Sequence, residues 1–117
     1  MATRNERARR WGTAMDLRRR AERIGVALRG VLARGDGRKH PMIVLDVGRG
    51  GMHVQADVVP EYGETVQLVV QLDEETDWLL FRGQVRWFAS RGFGVEFQEL
   101  APTQVSSLER FLDPSAA

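Results

Sequence analysis

Between residues 24 and 97 the chain repeats one design: short runs of alternating apolar and polar residues, cut at even intervals by polar turns. A period of two marks a strand with one buried face, and many short strands so punctuated restrict the fold to a β-sandwich or a barrel. The segment "IGVALRGVLARG" sets Ile24, Val26, Leu28, Val31 and Leu32 in imperfect alternation and runs into "RGDGRKHP", predicting a strand over about 24–34 and then a turn. "PMIVLDVG" is short and apolar enough to be buried on both faces, and a glycine stretch turns it into "MHVQA". In "ETVQLVVQL", Val66, Leu68 and Val70 share a face. In "WLLFRGQVRWF", Phe81, Val85 and Trp87 oppose Leu80, Gln84 and Arg86, with Gly83 read as a bulge or a tight bend. "SRG" then makes a hairpin turn into "FGVEF", whose Phe93, Val95 and Phe97 share a face. Six strands result, and closing them into a barrel removes the exposed edges.

The last segment changes period. Pro102 and Thr103 open a helix in which Val105, Leu108, Phe111 and Leu112 recur at helical spacing, and Pro114 stops it. The reading is mainly β: a six-stranded antiparallel barrel with one C-terminal helix packed on it and a basic arm in front.

A chain of 117 residues with 43% hydrophobic content supplies one modest core, hence one domain. It has no cysteine, which excludes disulfides and thiolate zinc sites, and its only imidazoles are His40 and His53, so no metal site is expected. No apolar run is long enough to span a membrane and the polar, Arg-rich start lacks the apolar core of a secretory signal, so a soluble, cytoplasmic protein without membrane insertion is expected. The serines lack a nucleophile setting such as GxSxG, the acids Asp73, Glu74, Glu75 and Asp77 fall in one polar turn, and neither histidine is tied to a base role. No enzyme is expected and no catalytic residue is assigned.

Charge is unevenly spread. Residues 1–40 hold twelve Arg and Lys against four acids, whereas residues 41–117 hold five against twelve. A basic arm on an acidic body favours an anionic partner for the arm, although such an arm can also lie on the body or stay solvated. The acidic body opposes a long polyanion, so nucleic acid is not the expected partner.

Two stretches offer a site for an anion. "RRRAER" places Arg19 and Arg23 four residues apart, where two guanidinium groups can converge on one phosphate or stack on a base; by itself the pair also fits a solvated face. "LDVGRGGMHVQ" follows a carboxylate, Asp46, with Gly48, Gly50 and Gly51. It lacks the full phosphate-loop pattern and leads into a strand, so its plain reading is a tight turn with positive φ angles. Asp46 is placed to accept from the N–H edge of a guanine.

The order of these pieces resembles the PilZ domain family over about residues 18–112. Arg19-Arg20-Ala21-Glu22-Arg23 stands for the family's RxxxR, "DVGRGG" at Asp46–Gly51 for its [D/N]xSxxG, and Gly83–Phe97 supplies "GxVxW" followed by "GFGVEF". The resemblance implies a six-stranded barrel with a C-terminal helix and a receptor for cyclic di-GMP, bound as a ligand with no cofactor. It implies ligand contacts at Arg19, Arg23, Asp46 and Gly51, with Arg18, Arg20, Gly48 and Arg49 as auxiliaries. It divides the chain into a basic extension (1–17), a PilZ domain (18–113) and a tail (114–117), and expects the arm to fold onto the barrel with ligand. The signal then passes to a protein target controlling motility, pili or exopolysaccharide. Gly48 stands where the motif has serine. Members that do not bind the nucleotide act by protein contacts alone, and this chain then offers the same barrel face, or Trp11 and Met15, to a partner.

Overall fold

The computed structural model describes residues 23–74 and 77–113. The expectations for the basic extension, including Trp11, Met15, Arg18, Arg19 and Arg20, and for the tail lie outside these residues. Six strands, β1 (Arg23–Ala33), β2 (Lys39–Gly48), β3 (Gly51–Ala56), β4 (Thr65–Val70), β5 (Leu79–Phe88) and β6 (Phe93–Gln98), precede one helix, α1 (Pro102–Leu112). The strands close into a barrel in the order β1-β2-β3-β6-β5-β4, every neighbouring pair antiparallel. This is the architecture that the alternation predicts.

Alternation works because a pleated strand sends successive side chains to opposite faces. Leu32, Val44, Val54, Leu68, Phe81, Val85 and Phe93 are fully buried inside the barrel, and Phe97 stacks on Phe81 with ring centroids 4.8 Å apart. Burying side chains of this size contributes about 1.5–3 kcal/mol each. From the helix, Leu108 and Leu112 join the buried set, while Val105 stays 40% exposed. The start of α1 is anchored by Gln104, which accepts from the Ala101 N–H at 2.7 Å and donates to the Leu80 carbonyl.

Two expectations are corrected. Strand β2 is not buried on both faces: Met42 and Val44 point inward while Ile43 is 43% exposed, since an antiparallel barrel leaves its outer face to solvent. An irregularity between Val44 and Asp46 then inserts one residue and turns Asp46 outward. Likewise Gly83 is neither bulge nor bend. It sits in regular register between Val66 and Phe97, where a Cβ would come 2.6 Å from the Glu96 carbonyl oxygen. The bulge lies between Val85 and Trp87, and it moves Trp87 off the inward face it was expected to share with Phe81 and Val85.

The ring closes where β1 meets β4, from Gly30–Val70 to Ala33–Gln67. Beside this seam the Arg34 guanidinium grips Glu64 with two hydrogen bonds, Nε to Oε2 at 2.8 Å and Nη2 to Oε1 at 2.7 Å. That hydrogen bonding holds the Glu64 carboxyl below the usual carboxylate range against a smaller opposing effect of burial, and raises the Arg34 guanidinium in turn.

Candidate ligand site

One row crosses the outside of the barrel. Register places Gly25 of β1 opposite Asp46 of β2, Asp46 opposite His53 of β3, His53 opposite Gly94 of β6, and Gly94 opposite Trp87 of β5. Arg23, two residues before Gly25 and so on the same face, is the first residue of β1, which starts one residue earlier than the strand over about 24–34 read from sequence. Its Nε donates to Asp46 Oδ1 at 2.7 Å, and Nη2 lies 2.5 Å from the same oxygen. Among the described residues the buried Nη2 has no aligned hydrogen-bond acceptor, although it is ion-paired with that oxygen. The other oxygen, Oδ2, faces His53 Nδ1 at 3.5 Å.

The glycine stretch is read differently in three dimensions. Among the described residues the φ angles in the left-handed region belong to Gly37, Gly63, Gly92 and Glu99, not to Gly48, Gly50 or Gly51, so the expected positive-φ turn is overturned. Arg49 and Gly50 alone connect β2 to β3. Gly51 is glycine because β6 passes so close: a Cβ there would meet the Val95 carbonyl oxygen at 2.1 Å. The Gly50 carbonyl accepts from the Phe97 N–H at 2.8 Å, pinning the turn to β6. Gly48, where the family motif has serine, is buried opposite Arg23 in the β1–β2 ladder.

Beyond Asp46 the row continues as an aromatic surface. The His53 ring lies on Trp87, centroids 4.9 Å apart and planes at 54°. The indole covers Gly94, where any Cβ would fall inside the ring. Of the residues expected from sequence, the structure brings together Arg23, Asp46, Gly48, Arg49 and Gly51; Arg18, Arg19 and Arg20 lie outside the described residues. Among the described residues no group of three or more His, Cys, Asp or Glu is placed to hold a metal, and no helix is long and apolar enough to cross a membrane.

An arginine and an aspartate thus pair beside a glycine turn on the outside of a six-stranded barrel, and the family model for the PilZ domain matches residues 17–113. The chain belongs to the PilZ domain family. Solved PilZ structures share its fold. The PilZ domain of CeSA from a cellulose-synthesizing bacterium superposes with a TM-score of 0.62 at 16% identity, covering 81% of this chain and 98% of that one. The PilZ domain with c-di-GMP of YcgR from Escherichia coli gives 0.61 at 15% identity, covering 77% and 85%. The inhibitor of motility MotI/DgrA of Bacillus subtilis gives 0.67 at 20% identity, covering 81% of this chain but 49% of that one, so this chain spans about half its length. A search of curated proteins finds no match.

Sequence reasoning missed His53 and the outward turn of Trp87 in this PilZ barrel. A signal for the first was present: with Arg49 and Gly50 as the connection, counting back three residues on one side and forward three on the other pairs Asp46 with His53. The β5 bulge has no comparable mark, since Arg86 and Trp87 fit either face.

Proposed function

We propose that this protein is a non-enzymatic PilZ receptor and adaptor that binds cyclic di-GMP on the outer row of the barrel and passes the signal to a protein target. The observation that carries the reading is the Arg23–Asp46 pair, which joins the RxxxR end of β1 to the motif aspartate of β2. A phosphate oxygen offers the buried Nη2 the aligned acceptor it lacks, and charge-assisted bonds of that kind are the stronger ones. Asp46, released from Arg23, accepts from a guanine N–H edge. Arg19 supplies a second guanidinium, Gly51 keeps the motif turn close to β6, and Arg18, Arg20, Gly48 and Arg49 are auxiliaries. In this reading residues 18–113 form the working domain, with 1–17 as its basic extension and 114–117 as its tail. The similar structures, one a PilZ domain with c-di-GMP and one an inhibitor of motility, support a role in second-messenger control; in this reading the protein works in the cytoplasm on motility, pili or exopolysaccharide.

Calorimetric titration with cyclic di-GMP tests it, beside the Arg19→Ala/Arg23→Ala double variant. Saturable heat in the wild type that vanishes in the variant is the expected result; no heat at high micromolar ligand refutes it. Gly48 favours a second reading, a PilZ adaptor that holds its protein partner without the nucleotide. The missing hydroxyl is worth about 0.5–1.5 kcal/mol, or roughly three- to twelvefold in affinity. Gly48→Ser therefore tightens binding by that factor under the first reading and leaves it undetectable under the second.

A further inference from the structure

His53 stands between two acceptors. Its Nδ1 faces Asp46 Oδ2 at 3.5 Å, and its Nε2 is in hydrogen-bond contact with the main-chain oxygen of Arg91, in the turn between β5 and β6. A carboxylate and a carbonyl oxygen only accept. A neutral imidazole can donate from Nε2 to the Arg91 carbonyl and leave an uncharged Nδ1 facing Asp46. The imidazolium keeps that bond and adds the attraction of its charge to the carboxylate. It also gains from Trp87, because a cation beside an indole is attracted by the ring's electron density.

The charged groups around His53 among the described residues come from four sides. Asp46 on β2 faces Nδ1 directly, and Arg23 on β1 is engaged with the other oxygen of the same carboxylate. On β6, Glu96 follows Gly94 by two residues on the same face and is 3.7 Å from the Arg86 Nε of β5. Arg91 offers its carbonyl from the turn. The group facing Nδ1 is therefore an anion, and Arg23 and Arg86 are each turned to a carboxylate.

We infer that His53, as the imidazolium, is a positioning residue that ties Asp46 to the β5–β6 turn, so that whatever occupies Asp46 and the setting of that turn are coupled and both respond to pH. The inference rests on the reading that Asp46 contacts the nucleotide only for its ligand consequence; the tie itself is a property of the free protein. A guanine edge that takes Asp46 Oδ2 displaces His53, and the turn, at Ala89–Gly92 beside the half-exposed Phe88, loses one anchor. Coupling of this kind is reciprocal: what loosens the turn eases access to Asp46. Deprotonation acts in the same direction, because the neutral ring loses the attraction of its charge to Asp46.

The test begins without ligand. Proton–nitrogen NMR of the full-length protein between pH 5.5 and 8.5 follows the His53 ring and the amides of Ser90, Arg91 and Gly92; these bounds lie on either side of the ordinary histidine value of about 6.5. The expected result is that both ring nitrogens are protonated at the acidic end and that the turn amides shift along the His53 titration. In Asp46→Asn the ring loses its anionic partner and the turn amides move at fixed pH. In His53→Gln they no longer titrate, whereas His40→Gln, remote on β2 beside Asp57, leaves their titration intact. Turn amides that ignore pH in the wild type, or titrate equally in His53→Gln, overturn the inference without appeal to any variant's stability. Calorimetry with cyclic di-GMP then reads the ligand side: roughly two- to fivefold tighter binding at pH 8.5 than at 5.5 in the wild type, the worth of one displaced, partly exposed ion pair. A pH-independent affinity refutes the competition at Asp46. Absence of binding at every pH refutes the receptor reading alone, because the ligand-free titration decides the tie separately.

Discussion

Replacing Gly51 with alanine separates two reasons for a glycine in the motif. If the glycine only leaves room for a ligand, an added methyl is harmless to the free protein. The structure assigns it another role, because the new Cβ would stand 2.1 Å from the Val95 carbonyl oxygen, 3.1 Å from Val95 C and 3.3 Å from Glu96 Cα. A carbon and a carbonyl oxygen settle at about 3.3 Å even in the closest interstrand contacts, so β6 must retreat by roughly 1 Å. A shift of that size loosens the Gly51–Glu96 pairing and the Phe97-to-Gly50 hydrogen bond next to it. Overpacking costs about 1–3 kcal/mol and the two weakened contacts together about 1 kcal/mol, giving about 2–4 kcal/mol in all. For a domain of this size that lowers Tm by roughly 10–20 °C. Gly50→Ala is the control: its Cβ has nothing within 4 Å and its φ is outside the left-handed region. It is expected to be neutral or to stabilise by about 0.4–1 kcal/mol through the unfolded chain. Urea and thermal unfolding followed by circular dichroism read both. A Gly51→Ala variant as stable as wild type refutes the close-approach argument and returns the glycine to the ligand.

Three further outcomes are expected. Gly94→Ala drives Trp87 off the barrel surface, costing about 1–3 kcal/mol and shifting its fluorescence to the red; an unchanged spectrum in a background lacking Trp11 and Trp78 counts against the packing described. Phe81→Ala opens the core beneath Phe97 and lowers stability by about 3–5 kcal/mol in urea unfolding, and a loss below 1 kcal/mol would mean the barrel interior is not where the structure puts it. Because Arg34 depresses the Glu64 carboxyl, the Glu64 contribution is complete above the ordinary glutamate value of about 4.3 and is lost as pH falls through the lower folded value. Wild type and Glu64→Gln therefore differ in Tm at pH 7 and converge in acid; a constant difference down to pH 2 would show that the carboxylate charge is not involved.

The barrel was legible because its inside asks only for an apolar residue at every second position. Val66, Leu68 and Val70, or Phe93 and Val95, announce their face without reference to any other part of the chain. What stayed hidden depends on partners. Whether Gly83 bends a strand or admits a neighbour is decided by Val95 and Glu96, which sequence does not bring beside it. The outward turn of Asp46 and of Trp87 follows from irregularities in pairing, one residue against two, which leave the local alternation looking continuous. At the site, Arg23 and Asp46 were readable through the family motifs, whereas His53 required both the register across the turn and the carbonyl of Arg91 from another hairpin.

The seam between β1 and β4 also governs how such a chain comes to fold. Four of the strand pairs join neighbours in sequence, but β1 with β4 and β3 with β6 join distant strands, so Leu32 finds Leu68 only after the intervening strands exist. Loop-closure entropy makes such distant pairings slow to form, so closing the ring is a late event. During synthesis the first strand therefore waits with one edge unpaired until the fourth has left the ribosome.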